Sequence, residues 1–130
     1  MTASPGPLRI AIGEDNVDLA DALAMLIDLQ DDLCCVGHAA TSEGLRQIAS
    51  QQAPDAYVLD LTLADGSCIP LVGELRARQP DCLIVAFTGL HDAALETACR
   101  EAGCDAMLRK DGRPMAVIEA LRRPRRGAAT

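Results

Sequence analysis

Five times along the chain, a short apolar run gives way to a longer stretch whose apolar residues recur at helical spacing. Few folds accommodate that alternation. Strands separated by helices cannot pair as hairpins, so they pair in parallel through crossover connections, and helices cover both faces of the sheet. The fourth run, Cys82-Leu83-Ile84-Val85-Ala86-Phe87, has no polar residue at all. That is the pattern of a strand buried on both sides.

The remaining elements follow from the same reading. Leu8–Ile12, Leu33–His38, Ala56–Asp60 and Asp105–Leu108 are predicted strands. Residues 17–30 predict a helix with Leu19, Leu23, Leu26 and Ile27 on one face and Asn16 as its cap. Helices are also expected over 42–52 (Leu45, Ile48 and Ala49 inward), over 68–78 (Ile69, Val72 and Leu75 inward) and over 91–102. A last helix opens at Pro114 with Met115, Ile118 and Leu121 inward. The fold class is therefore α/β, a doubly wound five-stranded parallel sheet.

Composition narrows the function classes. The 130 residues suit one domain, and the 12 basic against 19 acidic residues give a net charge of −7. An acidic body with no Trp, one Tyr and one Phe offers neither a phosphate-binding surface nor a stacking platform for nucleic acid. No apolar run approaches the ~20 residues of a membrane span, and the first residues do not resemble a secretory signal. The six cysteines include no CxxC pair and read as buried, reduced thiols, which implies a cytoplasmic setting. Residues 1–7 read as a disordered tail. Arg122, Arg123, Arg125 and Arg126 make residues 123–130 a basic tail or the start of a linker.

In open α/β sheets, ligands bind beyond the carboxyl ends of the strands. Glu14 and Asp15 follow the first predicted strand, Asp60 ends the third, Thr88-Gly89 follow the fourth and Lys110 follows the fifth. Each has a plainer reading alone: an acid pair at a helix start, a turn residue, a hydroxyl in a loop, a solvated lysine. At one rim they become a site. Two carboxylates ~4 Å apart repel by about 4 kcal/mol at an effective dielectric near 20, so a cation must offset them or one must stay protonated. An all-oxygen donor set suits Mg²⁺ completed by a phosphate oxygen. Lys110 and Thr88 are suited to hold that phosphoryl group, and an Asp can be its acceptor. The chemistry indicated is Mg²⁺-assisted phosphoryl transfer onto a carboxylate. Lys110 is the only lysine among the 12 basic residues.

The chain resembles the receiver domain of bacterial two-component response regulators. The resemblance rests on Glu14-Asp15-Asn16, on Val58-Leu59-Asp60-Leu61-Thr62-Leu63-Ala64-Asp65-Gly66-Ser67, on Thr88-Gly89 and on Gly103 through Asp111. It covers residues 8–122 and is most like receivers that precede a helix-turn-helix output domain. It implies a flavodoxin-like fold with strand order 2-1-3-4-5. Asp60 would be the phosphoacceptor, supplied by a sensor histidine kinase or a phosphotransfer protein. Asp15, Asp60 and the Thr62 backbone carbonyl would bind Mg²⁺, with Glu14 acting through water. Lys110 and Thr88 would hold the phosphoryl group, and the Thr62 and Leu90 side chains would tune water access to it. The downstream face would be the fourth helix, fifth strand and fifth helix, which could form a homodimer, contact a protein partner or serve a fused output domain. Such a switch is no classical enzyme, since it only phosphorylates and dephosphorylates itself.

Three residues depart from the family pattern. Met107 stands where an aromatic switch residue is usual, Ala64 where Pro is usual, and Asp111 where Pro commonly follows the lysine. Met107 motivates an alternative, a phosphorylation-independent interaction module. A haloacid-dehalogenase-like phosphatase is a further alternative. It would need a second Asp at the position of Thr62.

Overall fold

The computed structural model describes residues 6–89 and 92–124. The strands of the main sheet are β1 (Leu8–Gly13), β2 (Leu33–Ala39), β3 (Ala56–Leu59), β6 (Leu83–Thr88) and β7 (Ala106–Arg109). The helices are α1 (Val17–Asp28), α2 (Ser42–Gln52), α3 (Ile69–Arg78), α4 (Ala93–Ala102) and α5 (Met115–Leu121). Two further strands, β4 (Thr62–Leu63) and β5 (Gly66–Ser67), pair antiparallel in a separate two-residue ladder. The main sheet is parallel throughout, in the order β2-β1-β3-β6-β7. Counting its strands alone, that is the expected 2-1-3-4-5.

Side-chain alternation along the central strands builds two cores. Ile10, Ile12, Val58, Val85 and Phe87 face α1 and α5, where they meet Leu23, Ile27, Val117, Ile118 and Leu121. Ala11, Tyr57, Leu59, Ile84 and Ala86 point the other way, onto Leu45, Leu71 and Leu75 of α2 and α3 and Cys99 of α4. Burying each large apolar side chain stabilises by about 1.5–3 kcal/mol. The helices start where the sequence provides caps. Asn16 accepts from the Leu19 amide at 3.1 Å, Thr41 from Gly44 at 3.0 Å and Asp92 from Ala94 at 2.8 Å.

The expectations hold with a few corrections. Met115 is not inward. It is 38% exposed, and Val117 takes the buried position, because the inward stripe of α5 runs through Val117, Ile118 and Leu121. The loop after Asp60 contains the β4–β5 ladder, whose two-residue strands are too short to show a period. α1 ends at Asp28, two residues early, and α4 starts at Ala93 rather than 91. Leu90 and His91 fall outside the described residues, as do 1–5 and 125–130, which include most of both expected tails.

Candidate functional site

The rim beyond the strands' carboxyl ends is assembled one residue past each ladder. Asp60 follows β3, and its amide donates to the Gly13 carbonyl on β1 at 2.8 Å. Glu14 follows β1, and its amide donates to Ala39 on β2 at 3.0 Å. Lys110 follows β7, and its amide donates to the Thr88 carbonyl on β6 at 3.0 Å. Gly13 lies beneath this rim because nothing larger fits. A Cβ there would stand 2.4 Å from Leu45 Cδ1 and 3.0 Å from Leu59 Cδ2.

The Lys110 ammonium is the hub. Its Nζ lies 2.7 Å from Asp60 Oδ2 and 2.7 Å from Glu14 Oε1. The second Glu14 oxygen accepts from the Asn16 amide at 3.0 Å, and Asp60 Oδ1 accepts from the Thr62 amide at 3.3 Å. The Glu14 side chain is only 2% exposed, the Asp60 side chain 11%. Burial alone would drive the Lys110 pKa down. The hydrogen bonds it donates to Asp60 and Glu14, with their charges, outweigh it, so the ammonium is held above its ordinary value.

Glu14, Asp15 and Asp60 each place one carboxylate oxygen within 4.8 Å of the others. Asp15 is exposed, so the cluster opens to solvent on its side. Three carboxylates against one ammonium leave a local charge of −2. The donors are all oxygen, which suits a hard divalent cation. The structure therefore brings Glu14, Asp15, Asp60 and Lys110 together. Thr62 is exposed, two residues beyond Asp60, and contributes its amide there. Thr88 is 1% exposed at the end of β6 and lines an open groove of about 440 Å³ with Asp92, Glu96 and Met107. Sequence reasoning missed the direct Glu14–Lys110 ion pair, since it gave Glu14 only a water-mediated role. The signal was the burial implied by its place directly after β1.

Comparison with known proteins gives the family. Residues 10–122 match the response regulator receiver domain family. The chain belongs to that family. Such receivers are the signalling domains of two-component systems. The nitrate/nitrite response regulator protein NarL of Escherichia coli K12 is 28% identical over 116 residues, which cover 88% of this chain and 53% of NarL. The photosynthetic apparatus regulatory protein RegA of Cereibacter sphaeroides is 37% identical over 82 residues, or 63% of this chain and 44% of RegA. The chain spans about half the length of the curated relatives it matches. Among solved structures, a LuxR-family two-component response regulator from Aurantimonas sp. SI85-9A1 superposes with a TM-score of 0.81 at 23% identity. That match covers 88% of this chain and 81% of the other. A CheY-like receiver domain protein from Methanospirillum hungatei gives 0.79 at 21% identity, covering 88% and 90%. At those identities the structures establish the receiver fold.

The other acidic and titratable residues of this receiver stand apart from the site. Asp18, Asp21, Asp28, Asp31 and Asp32 are exposed, and three of them have partners. Asp28 accepts from the Cys35 amide at 2.8 Å, and Asp32 pairs with Arg122 at 2.9 Å. His38 is exposed, 3.6 Å from Asp21. No described helix is long and apolar enough to cross a membrane.

Proposed function

We propose that this receiver is a phosphoacceptor switch and that Asp60 accepts the phosphoryl group. The observation that supports it most is the Lys110 ammonium bound at once to Asp60 and Glu14, inside a three-carboxylate cluster open toward Asp15. In the reaction an Asp60 carboxylate oxygen bonds to phosphorus while the N–P bond of a phosphohistidine breaks. The imidazole leaves with the electron pair and takes up a proton. The phosphohistidine would belong to a sensor histidine kinase or a phosphotransfer protein.

The residues present fit Mg²⁺. Asp15, Asp60 and the Thr62 carbonyl would hold it, with Glu14 behind them through water. When bound, the ion would supply the charge that lets a phosphate dianion approach three carboxylates. Lys110 would keep one ammonium against the transferred group, a point charge that Arg's planar fork does not reproduce. Thr88 would donate its hydroxyl to the phosphoryl group. Its groove continues to Met107, Asp92 and Glu96, which links the site to α4 and β7. The face formed by α4, β7 and α5 would carry the signal to a protein partner, a second copy or a fused output domain. Met107 carries no hydroxyl, so any movement there proceeds by repacking.

The test is intact mass after incubation with Mg²⁺ and a small phosphodonor such as acetyl phosphate. The expected result is one added phosphoryl group on the native chain and none on Asp60→Asn. Equal phosphorylation of Asp60→Asn would overturn the assignment.

A further inference from the structure

We propose that Cys99 and Cys104 form an oxidisable dithiol, a modification site at the junction of α4 and β7. Its chemical input would be a hydroperoxide. The two residues are joined by the way α4 ends. Gly103 adopts φ +122°, its amide donates to Arg100 at 3.1 Å, and the Cys104 amide donates to the Cys99 carbonyl at 3.1 Å. This is a Schellman closure, in which the side chains at the two ends of the longer bond pack together. Here both are cysteines. With that bond at 3.1 Å the two Cα atoms stand no more than roughly 7 Å apart, about the limit a disulfide spans.

The junction is held rigidly. The Arg76 guanidinium donates to the Gly103 carbonyl at 2.7 and 3.1 Å and to Asp105 at 2.6 Å. Cys99 is 1% and Cys104 6% exposed, yet both line a small cleft with about 30 Å³ open to a water-sized molecule. Glu96, Arg100 and Met107 form its rim. A small peroxide has an entry there that a bulky oxidant lacks.

The thiols are also unlike the others. The Cys104 thiol donates to the Ala106 carbonyl at 2.9 Å and to that of Ile84 at 3.5 Å; its interaction with Cys99 lowers Cys104 against the effect of burial and raises Cys99. Burial raises Cys35, and it raises Cys68 to about 12. Cys104 is thus the nucleophile and Cys99 the resolving thiol. The Cys104 thiolate attacks one peroxide oxygen, the O–O bond breaks, and the alcohol or water leaves with a proton. The Cys99 sulfur then displaces hydroxide from the Cys104 sulfenic acid, giving the disulfide and water. Two electrons pass from the thiols to the peroxide.

The experiment treats the full chain with hydrogen peroxide near neutral pH, blocks free thiols with N-ethylmaleimide and digests with trypsin. Cleavage after Arg78, Arg100 and Arg109 separates Cys99 from Cys104. The expected product is peptide 79–100 tethered to peptide 101–109 through Cys99, as located by fragmentation because Cys82 shares that peptide. Cys99 and Cys104 should lose alkylation together, before the more exposed Cys34 and Cys35, and regain it with dithiothreitol. In Cys99→Ala, Cys104 should accumulate as a dimedone-reactive sulfenic acid. Asp60→Asn should form the same link, so the result is independent of phosphorylation. Alkylation of both cysteines while Cys34 or Cys35 oxidises first would overturn the proposal, as would a link from Cys104 to Cys82.

Discussion

Lys110 carries two opposed burdens, and its removal separates them. Its ammonium balances Glu14 and Asp60, both nearly buried, at 2.7 Å each. In Lys110→Met the three carboxylates would face one another with no cation. Losing one member of a buried ion pair costs about 3–5 kcal/mol, and Lys110's partial exposure reduces that to about 1–3 kcal/mol. Lys110→Met should therefore lower the urea midpoint at neutral pH, and Mg²⁺ should restore part of the loss. The pH dependence has a definite sign. Because the folded-state pKa is raised, the contribution is fully present below the unfolded lysine value of 10.5. It disappears as pH rises through the higher folded value. Tyr57, raised by burial, loses stability in the same direction, so the native profile alone is ambiguous. The difference between native and Lys110→Met urea midpoints isolates the lysine. It should be constant up to about pH 10 and shrink above it; a difference that grows with pH would refute the ion-pair account. The composition had already singled out this residue as the only lysine, and its place after the fifth predicted strand located it. Glu14's place directly after β1 implied its burial, but its bond to Lys110 depends on distances across β1 and β7 that spacing does not encode.

At the scale of elements, the strands were the most legible. Runs such as Leu83–Phe87 are apolar throughout, and both cores need them. Their boundaries shifted by a residue or two, since a ladder ends where its neighbour does. The β4–β5 ladder was invisible because two residues show no period. Met115 was misplaced because an i, i+3, i+6 template fits α5 as well as the observed stripe at Val117, Ile118 and Leu121. Helix ends moved by up to two residues, at the end of α1 and the start of α4, and two helical glycines have opposite consequences. Gly103 closes α4 at φ +122°, and a Cβ there would lie 2.9 Å from Arg76 Cγ. Gly73 sits inside α3 with nothing within 4 Å of the same position. Gly103→Ala should lose about 1–3 kcal/mol, from the left-handed backbone and the displaced Arg76. Gly73→Ala should gain about 0.5–1 kcal/mol, since helix interiors favour Ala. Urea melts with an unchanged slope would check both, and the same sign for both would refute the reading of the two turns.

For the molecule as a whole, the question is where a net charge of −7 is tolerated and where it is concentrated. Eight of the 19 acidic side chains are on exposed helix faces, where water spreads the cost, and arginines such as Arg46 and Arg122 pair with acidic side chains nearby. The cluster of Glu14, Asp15 and Asp60 is different. It keeps −2 after Lys110 is counted, at a rim built from four separate βα connections. A ligand that binds the folded rim and finds no such cluster in the unfolded chain stabilises the whole domain by mass action. That amounts to about 2.7 kcal/mol at a hundred times its Kd. Adding Mg²⁺ should thus raise the native melting temperature in a saturating way, and a chelator should reverse it. Asp15→Asn should abolish most of the shift, because Asp15 is the exposed donor through which the cluster opens. A neutral salt at matched ionic strength should not reproduce the effect, since screening lacks a stoichiometric site. If sodium chloride raises the native midpoint as much as Mg²⁺ does, or Asp15→Asn responds like the native chain, the acidic rim relieves its repulsion by screening alone and is no metal site.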